Sequence, residues 1–98
     1  MNLRLELSEQ AEEDLFETWS WIAADSVIAA NKWLFKTYKT CGLLCKFPGM
    51  GKHLPEYGQR VQGFIKDEYY IFYEVHEKMV LILHVVRGDR NLEKLFQA

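Results

Sequence analysis

The sequence lacks the long apolar run that a membrane-spanning helix needs. One span takes about 20 consecutive apolar residues, and no run in this chain of 98 residues approaches that length. The first ten residues also lack the continuous apolar block of a signal peptide, because apolar and polar side chains alternate there. We therefore expect a protein of the cytoplasm that does not bind membranes.

Cysteine is scarce, and the two thiols, Cys41 and Cys45, are four residues apart on a predicted helix. At this spacing two thiols share a face but rarely align for a disulfide, so we expect both to be small buried residues. The only histidines are His53, His76 and His84, and no CxxC or HxxxH motif groups the possible zinc ligands. The sequence therefore predicts no metal site.

The sequence also lacks internal repeats, low-complexity segments and any linker that would divide it. Hydrophobic residues make up 49% of the chain, which is enough for one small core. We therefore expect a single domain over residues 1–98.

Basic residues are nearly absent from the first third of the chain. Residues 1–31 hold one arginine and seven acids, whereas residues 32–66 hold seven Lys or Arg and one acid. This asymmetry indicates either a surface for an anionic partner or a solvated lysine stripe on a helix.

The first predicted elements are a strand and a helix. Leucines at positions 3, 5 and 7 alternate with polar residues, which is typical of a strand with one buried face. Ser8 is followed by several acids, and this pattern predicts a helix from about Glu9 to Ala24. Trp21 is expected on the solvent side of that helix, with Asp14 and Glu17. The core-facing stripe should contain Ala11, Leu15, Phe16, Trp19, Ile22 and Ala23.

A second helix should follow the break at Asp25-Ser26 and reach about Cys45, which makes the two helices an antiparallel hairpin. Lysines are expected on its outer face, and Trp33 also lies off the predicted core stripe. Phe47-Pro48-Gly49 should end this helix, and a loop should then lead to residue 60. The predicted core stripe consists of Val27, Ala30, Leu34, Tyr38, Cys41 and Cys45.

Three strand-like runs, Val61–Lys66, Tyr69–Val75 and Met79–Val86, are separated by short charged turns and predict an antiparallel meander. The last run is apolar at nearly every position, which favours a central strand. We expect Leu83 in this run to be fully buried. The fold class is therefore α+β, with a helical hairpin packed on a meander.

Alternation in the second run places Tyr69, Ile71, Tyr73 and Val75 toward the helices. Tyr70 and Phe72 should then lie on the opposite face, near the arginines Arg60, Arg87 and Arg90. Exposed aromatic residues mixed with arginine can hold phosphates and stack on bases, but aromatic pairs on a sheet are also ordinary cross-strand packing.

The chain resembles the toxins of bacterial type II toxin–antitoxin systems in the RelE/ParE superfamily, over essentially its whole length. The resemblance lies in AEEDLFETWSWIA followed by DSVIAA, in the loop FPGMGKHLPEYGQRV, and in YYIFYEV paired with a late RGDR. It implies an N-terminal strand, the hairpin, the meander, a short C-terminal helix and no cofactor. The ParE branch, associated with inhibition of DNA gyrase and with plasmid stabilization, is the better match.

The RelE branch, whose members cut messenger RNA on the ribosome, is matched less well. Arg90 stands where that branch has its late arginine, but Phe96 replaces a tyrosine that could exchange a proton. Tyr70 stands where an arginine is expected, and Glu68 replaces a glycine. A histidine could still act as the proton carrier. An endoribonuclease, with Arg60, Arg87 and Arg90 as its cations, therefore remains the alternative to a non-enzymatic gyrase inhibitor, and an inactive antitoxin-binding member is a third.

The resemblance also implies a partner, a ParD-like antitoxin that itself binds DNA, so that no sequence-specific DNA binding is expected of this chain alone. A disordered antitoxin segment needs apolar anchors and charge complementarity to recover its ordering cost. Trp21 and Trp33 are the predicted anchors. The arginines Arg60, Arg87 and Arg90 are the residues expected to bind the target.

Overall fold

The computed structural model describes residues 2–88. Within them, two α-helices and four of the five strands follow the predicted order. The elements are β1 (Arg4–Leu7), α1 (Glu9–Ala23), α2 (Val27–Lys46), β2 (Lys52–His53), β3 (Val61–Lys66), β4 (Tyr69–Val75) and β5 (Met79–Arg87). The predicted C-terminal helix falls outside the described residues.

The strands form one sheet in the order β1-β5-β4-β3-β2. β3, β4 and β5 are the predicted antiparallel meander, and β5 is central as expected. β1 pairs with β5 in parallel, because the helical hairpin carries the chain back across the sheet before the meander begins. The two-residue strand β2 was not predicted from the sequence, since its loop carries no alternating pattern. The α+β fold class is confirmed.

Serine hydroxyls begin both helices. Ser8 Oγ accepts a hydrogen bond from the backbone N–H of Ala11, and Ser26 Oγ accepts one from Ala29. Each bond satisfies a backbone donor that has no partner within the first turn. The hairpin is therefore positioned by the capping residues that the sequence indicated.

The main core lies between the hairpin and the sheet. Ile71 and Tyr73 of β4 face the helices, as the alternation predicted, and Val80 of β5 lies in the same cluster. The cysteines Cys41 and Cys45 are buried there and are not joined in a disulfide. The other buried members of this cluster are Ala11, Leu15, Leu44, Ile82 and Val85.

A β-bulge overturns the expectation that Leu83 is fully buried. Phe72 pairs with His84 and the next residue, Tyr73, pairs with Ile82, so Leu83 is the extra residue on β5. Ile82 therefore keeps its place in the main core with no exposed surface, while Leu83 is only partly buried on the other face. A regular alternation cannot reveal this shift of register.

The face of the sheet opposite the helices is covered as well, so the expected exposure of Phe72 is wrong. Phe72 is fully buried with Val61 and Val86. The loop before β3 folds over this second cluster, and the Tyr57 ring meets the Phe72 ring edge to face at 6.0 Å. Leu54 from the same loop adds apolar contact.

The helices bury narrower stripes than the sequence predicted. Phe16, Val27 and Tyr38 are exposed rather than part of the core. The hairpin forms a single layer on the sheet, so only the side of each helix that faces the sheet or the other helix is covered. Asp14, which was expected on the solvent side, is instead buried.

No helix within residues 2–88 is long and apolar enough to cross a membrane.

Candidate functional site

Four of the residues named in the sequence analysis meet where β4 begins and β5 ends. Tyr69 and Arg87 are direct partners in the β4–β5 ladder. The Tyr69 ring packs against Trp33 of α2 with centroids 5.4 Å apart, and the Arg87 guanidinium lies 6.0 Å from the centre of the Trp21 ring. We call this group (Trp21, Trp33, Tyr69, Arg87) the Tyr69 end. It is a surface of aromatic rings around one arginine.

The turn that leads into the Tyr69 end has a left-handed backbone. Asp67 and Glu68 both have positive φ angles, 51° and 72°. Two such residues make the hairpin turn whose twist matches that of the flanking strands, although Asn-Gly is the usual choice. The carbonyl of Glu68 also accepts a hydrogen bond from the backbone N–H of Gly88, at 2.8 Å. The turn therefore also fixes the chain just after Arg87.

A buried carboxylate holds the edge of β5 beside this surface. β1 pairs with β5 only as far as Leu7, so the last residues of β5 have no strand beside them on that edge. Asp14 of α1 supplies the missing acceptor there. Its Oδ2 accepts a hydrogen bond from the backbone N–H of Val85 at 3.0 Å. Oδ1 of the same carboxylate accepts one from Gln10, and His84 Nδ1 lies 3.4 Å from Oδ2. The carboxylate thus satisfies a strand donor that the sheet does not.

A cleft of about 290 Å³ opens between α1 and the end of β5. Trp21 stands on its rim with 67% of its surface exposed. The side chains that line the cleft include an indole, an arginine and two carboxylates. The lining residues are Asp14, Glu17, Thr18, Trp21, Tyr69, Val85, Val86 and Arg87.

A different cluster occupies the other end of β4. An Arg60 guanidinium nitrogen lies 3.2 Å from His76 Nδ1, and His76 Nε2 lies 2.9 Å from Glu74 Oε1. Arginine can only donate, so Nδ1 is the acceptor and Nε2–H donates to the carboxylate when the ring is neutral. We call this group (Arg60, Glu74, His76) the Glu74 end. It combines a cation, an imidazole and a carboxylate.

The structure separates the arginines that the sequence grouped. Arg60 precedes Val61, which pairs with Glu74, whereas Arg87 pairs with Tyr69. From Tyr69 to Glu74 the strand rises by five residue steps, or about 17 Å at the rise of an extended strand. Arg60 and Arg87 therefore do not share one site, and Arg90 lies outside the described residues.

The two predicted anchors differ in exposure. Trp21 is exposed, as expected, whereas Trp33 is half-buried and packs against the main core, contrary to its expected position off the core stripe. The contact between Trp33 and Tyr69 accounts for the difference, because β4 reaches under that side of α2.

Sequence reasoning missed Glu74 and Asp14 as organising groups. Glu74 and His76 are two residues apart, and this spacing puts both side chains on one side of an extended chain. Their contact could therefore have been predicted from the sequence. Asp14 gave no comparable signal, because its role depends on β1 being shorter than β5.

Burial alters the ionisation of three groups. It raises the pKa of the Cys41 thiol to about 12, to which the nearby Cys45 contributes, and it raises the pKa of the Cys45 thiol. Burial also raises the pKa of Tyr73. The Tyr73 hydroxyl donates to the carbonyl of Pro48 and accepts from the N–H of Gly51, so it anchors the loop before β2. Neither thiol is suited to nucleophilic chemistry at neutral pH.

Within residues 2–88 no three His, Cys, Asp or Glu side chains are grouped as metal ligands.

Comparison with known proteins assigns this architecture to a family. The family model for the ParE toxin of the type II toxin–antitoxin system parDE matches residues 5–92. The chain belongs to the ParE toxin family. No curated protein sequence matches it.

Solved structures share the fold of this ParE family member. A chain of the chromosomal ParDE toxin–antitoxin system from P. aeruginosa is 17% identical, with a TM-score of 0.72 over 87% of this chain and 95% of that chain. The RelBE2 toxin–antitoxin complex from Mycobacterium tuberculosis contains another, 20% identical, with a TM-score of 0.62 over 89% of this chain and 99% of that chain. At 17% and 20% identity, these likenesses show the fold alone.

Proposed function

We propose that this protein is the toxin of a type II toxin–antitoxin pair and that it acts in the cytoplasm by binding and inhibiting DNA gyrase. The observation that carries this proposal is the Tyr69 end. There an exposed tryptophan and an exposed arginine lie together beside an open cleft. Tryptophan and arginine are the residues most enriched among binding hot spots.

The positions of the histidines support binding rather than catalysis at the Tyr69 end. An RNA-cleaving site needs a proton carrier within hydrogen-bond reach of the substrate hydroxyl, beside a cation. His53 and His76 lie toward the opposite end of β4, where His53 contacts the carbonyl of Gln59. His84 is mostly buried, with its ring between Asp14 and Phe72. Arg87 therefore has no exposed imidazole beside it among the described residues.

An antitoxin that covers the same end would block the target directly. Trp21 offers exposed apolar area for such a segment. Trp33 packs against Tyr69 and is only partly buried, so the rest of its ring is accessible to the same segment. We propose that a ParD-like antitoxin binds along α1 and this end of the sheet. The exposed carboxylate of Glu17 on the same cleft suits a basic side chain of that segment.

Supercoiling by purified gyrase, measured with increasing amounts of the purified chain, tests the proposal. We expect inhibition by the parent, and strongly reduced inhibition by Arg87→Ala. Arg4→Ala is the matched control, because Arg4 is also an exposed arginine, and its partner is Glu6 on the edge strand β1. Unchanged supercoiling at saturating parent protein would refute gyrase as the target.

A second candidate function, endoribonuclease activity, is favoured by the Glu74 end. Its carboxylate orients the imidazole and its guanidinium could stabilise a developing phosphorane charge, which is metal-free acid–base chemistry. In the described arrangement both ring nitrogens are engaged, so Arg60 would have to move before Nδ1 could accept a proton from a substrate.

Messenger RNA cleavage with purified ribosomes separates the two functions. Cleavage by the parent that is lost in His76→Gln would establish the nuclease. Neither inhibition of supercoiling nor cleavage of messenger RNA, together with tight antitoxin binding, would identify an inactive member of the family.

A further inference from the structure

The two helices of the hairpin carry opposite charges. α1 contains five carboxylates and no Lys or Arg, whereas α2 contains four lysines and no Asp or Glu. Four of the carboxylates and all of the lysines are exposed. The exposed groups are Glu9, Glu12, Glu13 and Glu17 on α1 and Lys32, Lys36, Lys39 and Lys46 on α2.

An apolar groove of about 390 Å³ runs between these charged helices. Leu15 and Leu34 line it together with Phe16, which is 69% exposed. Phe35 and Ile28 of α2 are also exposed, by 66% and 73%. Soluble monomers rarely leave so many large apolar side chains together in water, so this face is expected to be covered by a partner.

The register of the two helices is known from contacts across the groove. Trp19 Nε1 donates a hydrogen bond to Asn31 Oδ1 at 3.0 Å. About two helical turns nearer the start of α1, Glu12 lines the groove together with Tyr38. Glu12 therefore lies at the level of Lys39, and Phe16 lies near the level of Phe35.

We propose that this face binds a second copy of the chain, through a two-fold axis that runs along the groove, parallel to the helices. That axis places α1 of each copy over α2 of the other at the same level. Glu12 then faces the partner's Lys39 twice in the dimer, and Phe16 meets the partner's Phe35. A two-fold axis across the helices would instead place acids on acids and lysines on lysines, which costs free energy.

Charge reversal tests the pairing. Sedimentation of the isolated full-length chain should show a dimer whose population rises with protein concentration and falls with salt. Lys39→Glu and Glu12→Lys should each weaken dimerisation by about tenfold, because each replaces two attractive pairs by two repulsive ones. The matched controls Lys78→Glu and Glu77→Lys, on the exposed turn between β4 and β5, should dimerise like the parent.

The acidic α1 and the basic α2 also attract each other within one chain, so a charge reversal could act without any contact between copies. Mixing the two variants distinguishes these two causes. An equimolar mixture of Lys39→Glu and Glu12→Lys should recover the parent's dimerisation, because both pairs of the mixed dimer are attractive. A parent that stays monomeric to millimolar concentration would overturn the proposal, and so would a mixture that recovers nothing. If instead Lys39→Glu weakens only antitoxin binding and the parent is monomeric, the antitoxin and not a second copy covers the face.

Discussion

The two ends of β4 use arginine in different ways. At the Tyr69 end, Arg87 lies over the exposed ring of Trp21. At the Glu74 end, Arg60 contacts an imidazole that is bound to a carboxylate. The first arrangement suits binding to another protein, and the second has the groups that proton transfer needs. The position of an arginine in the sequence therefore indicates little about its function until its neighbours in the structure are known.

The largest expected effect is a loss of stability from changes in β5, whose register places Arg87 beside Tyr69. Ile82→Ala should lower the free energy of unfolding by about 2–5 kcal/mol, through lost burial and a residual cavity. Leu83→Ala should cost less, because Leu83 is the partly exposed residue of the bulge. Chemical denaturation of both variants measures the difference. An equal loss of stability would contradict the bulge, and both ends of the sheet would then need a new register.

The next effect should appear at the Tyr69 end. Trp21→Ala should weaken antitoxin binding by about 1–4 kcal/mol, the range of hot-spot residues, and leave the isolated fold nearly unchanged because the side chain is mostly exposed. A binding titration beside thermal melting makes the measurement. Phe47→Ala, directly after α2, is a control that also removes an exposed ring but lies away from this end, because the end of α2 meets the start of β1. A large loss of stability with unchanged affinity per folded molecule would remove Trp21 from the interface.

The carboxylate beside the Tyr69 end should contribute to folding. Asp14→Ala removes the acceptor of the Val85 N–H and should cost about 1–3 kcal/mol, because a buried donor loses its partner. Asp14→Asn keeps an oxygen acceptor and should recover part of the loss. Denaturant unfolding of the two variants compares them. If both unfold like the parent, the edge of β5 does not depend on this carboxylate.

The smallest effect is expected at the Glu74 end. His76→Gln should change the stability by less than about 1 kcal/mol, because the ring is part of a half-exposed cluster. It should leave the inhibition of gyrase unchanged, since the residue lies at the other end of β4 from Arg87. Supercoiling assays beside thermal melting check both expectations. Lost inhibition with intact folding would place the target at the Glu74 end and reverse the comparison.

The elements could be predicted from the sequence because their signals are local. Period-two alternation gave β3 and β4 with the bounds that the structure has, and the serine caps gave the starts of both helices. The central position of β5 followed from its apolar side chains on both faces. Trp21 could be placed on the solvent side of α1 from helical periodicity alone.

The sites could not be predicted in the same way, because they depend on which residues the sheet brings to the same level. The sequence places Arg60 and Arg87 on strands of one meander, but only the antiparallel pairing puts them at opposite ends of β4. Only the tertiary structure covers Phe72 with the loop that carries Tyr57, and only it buries Asp14 where β1 ends before β5 does. Periodicity determined the elements because backbone geometry repeats along the chain. Tertiary packing decided the sites because it joins residues that no local pattern relates.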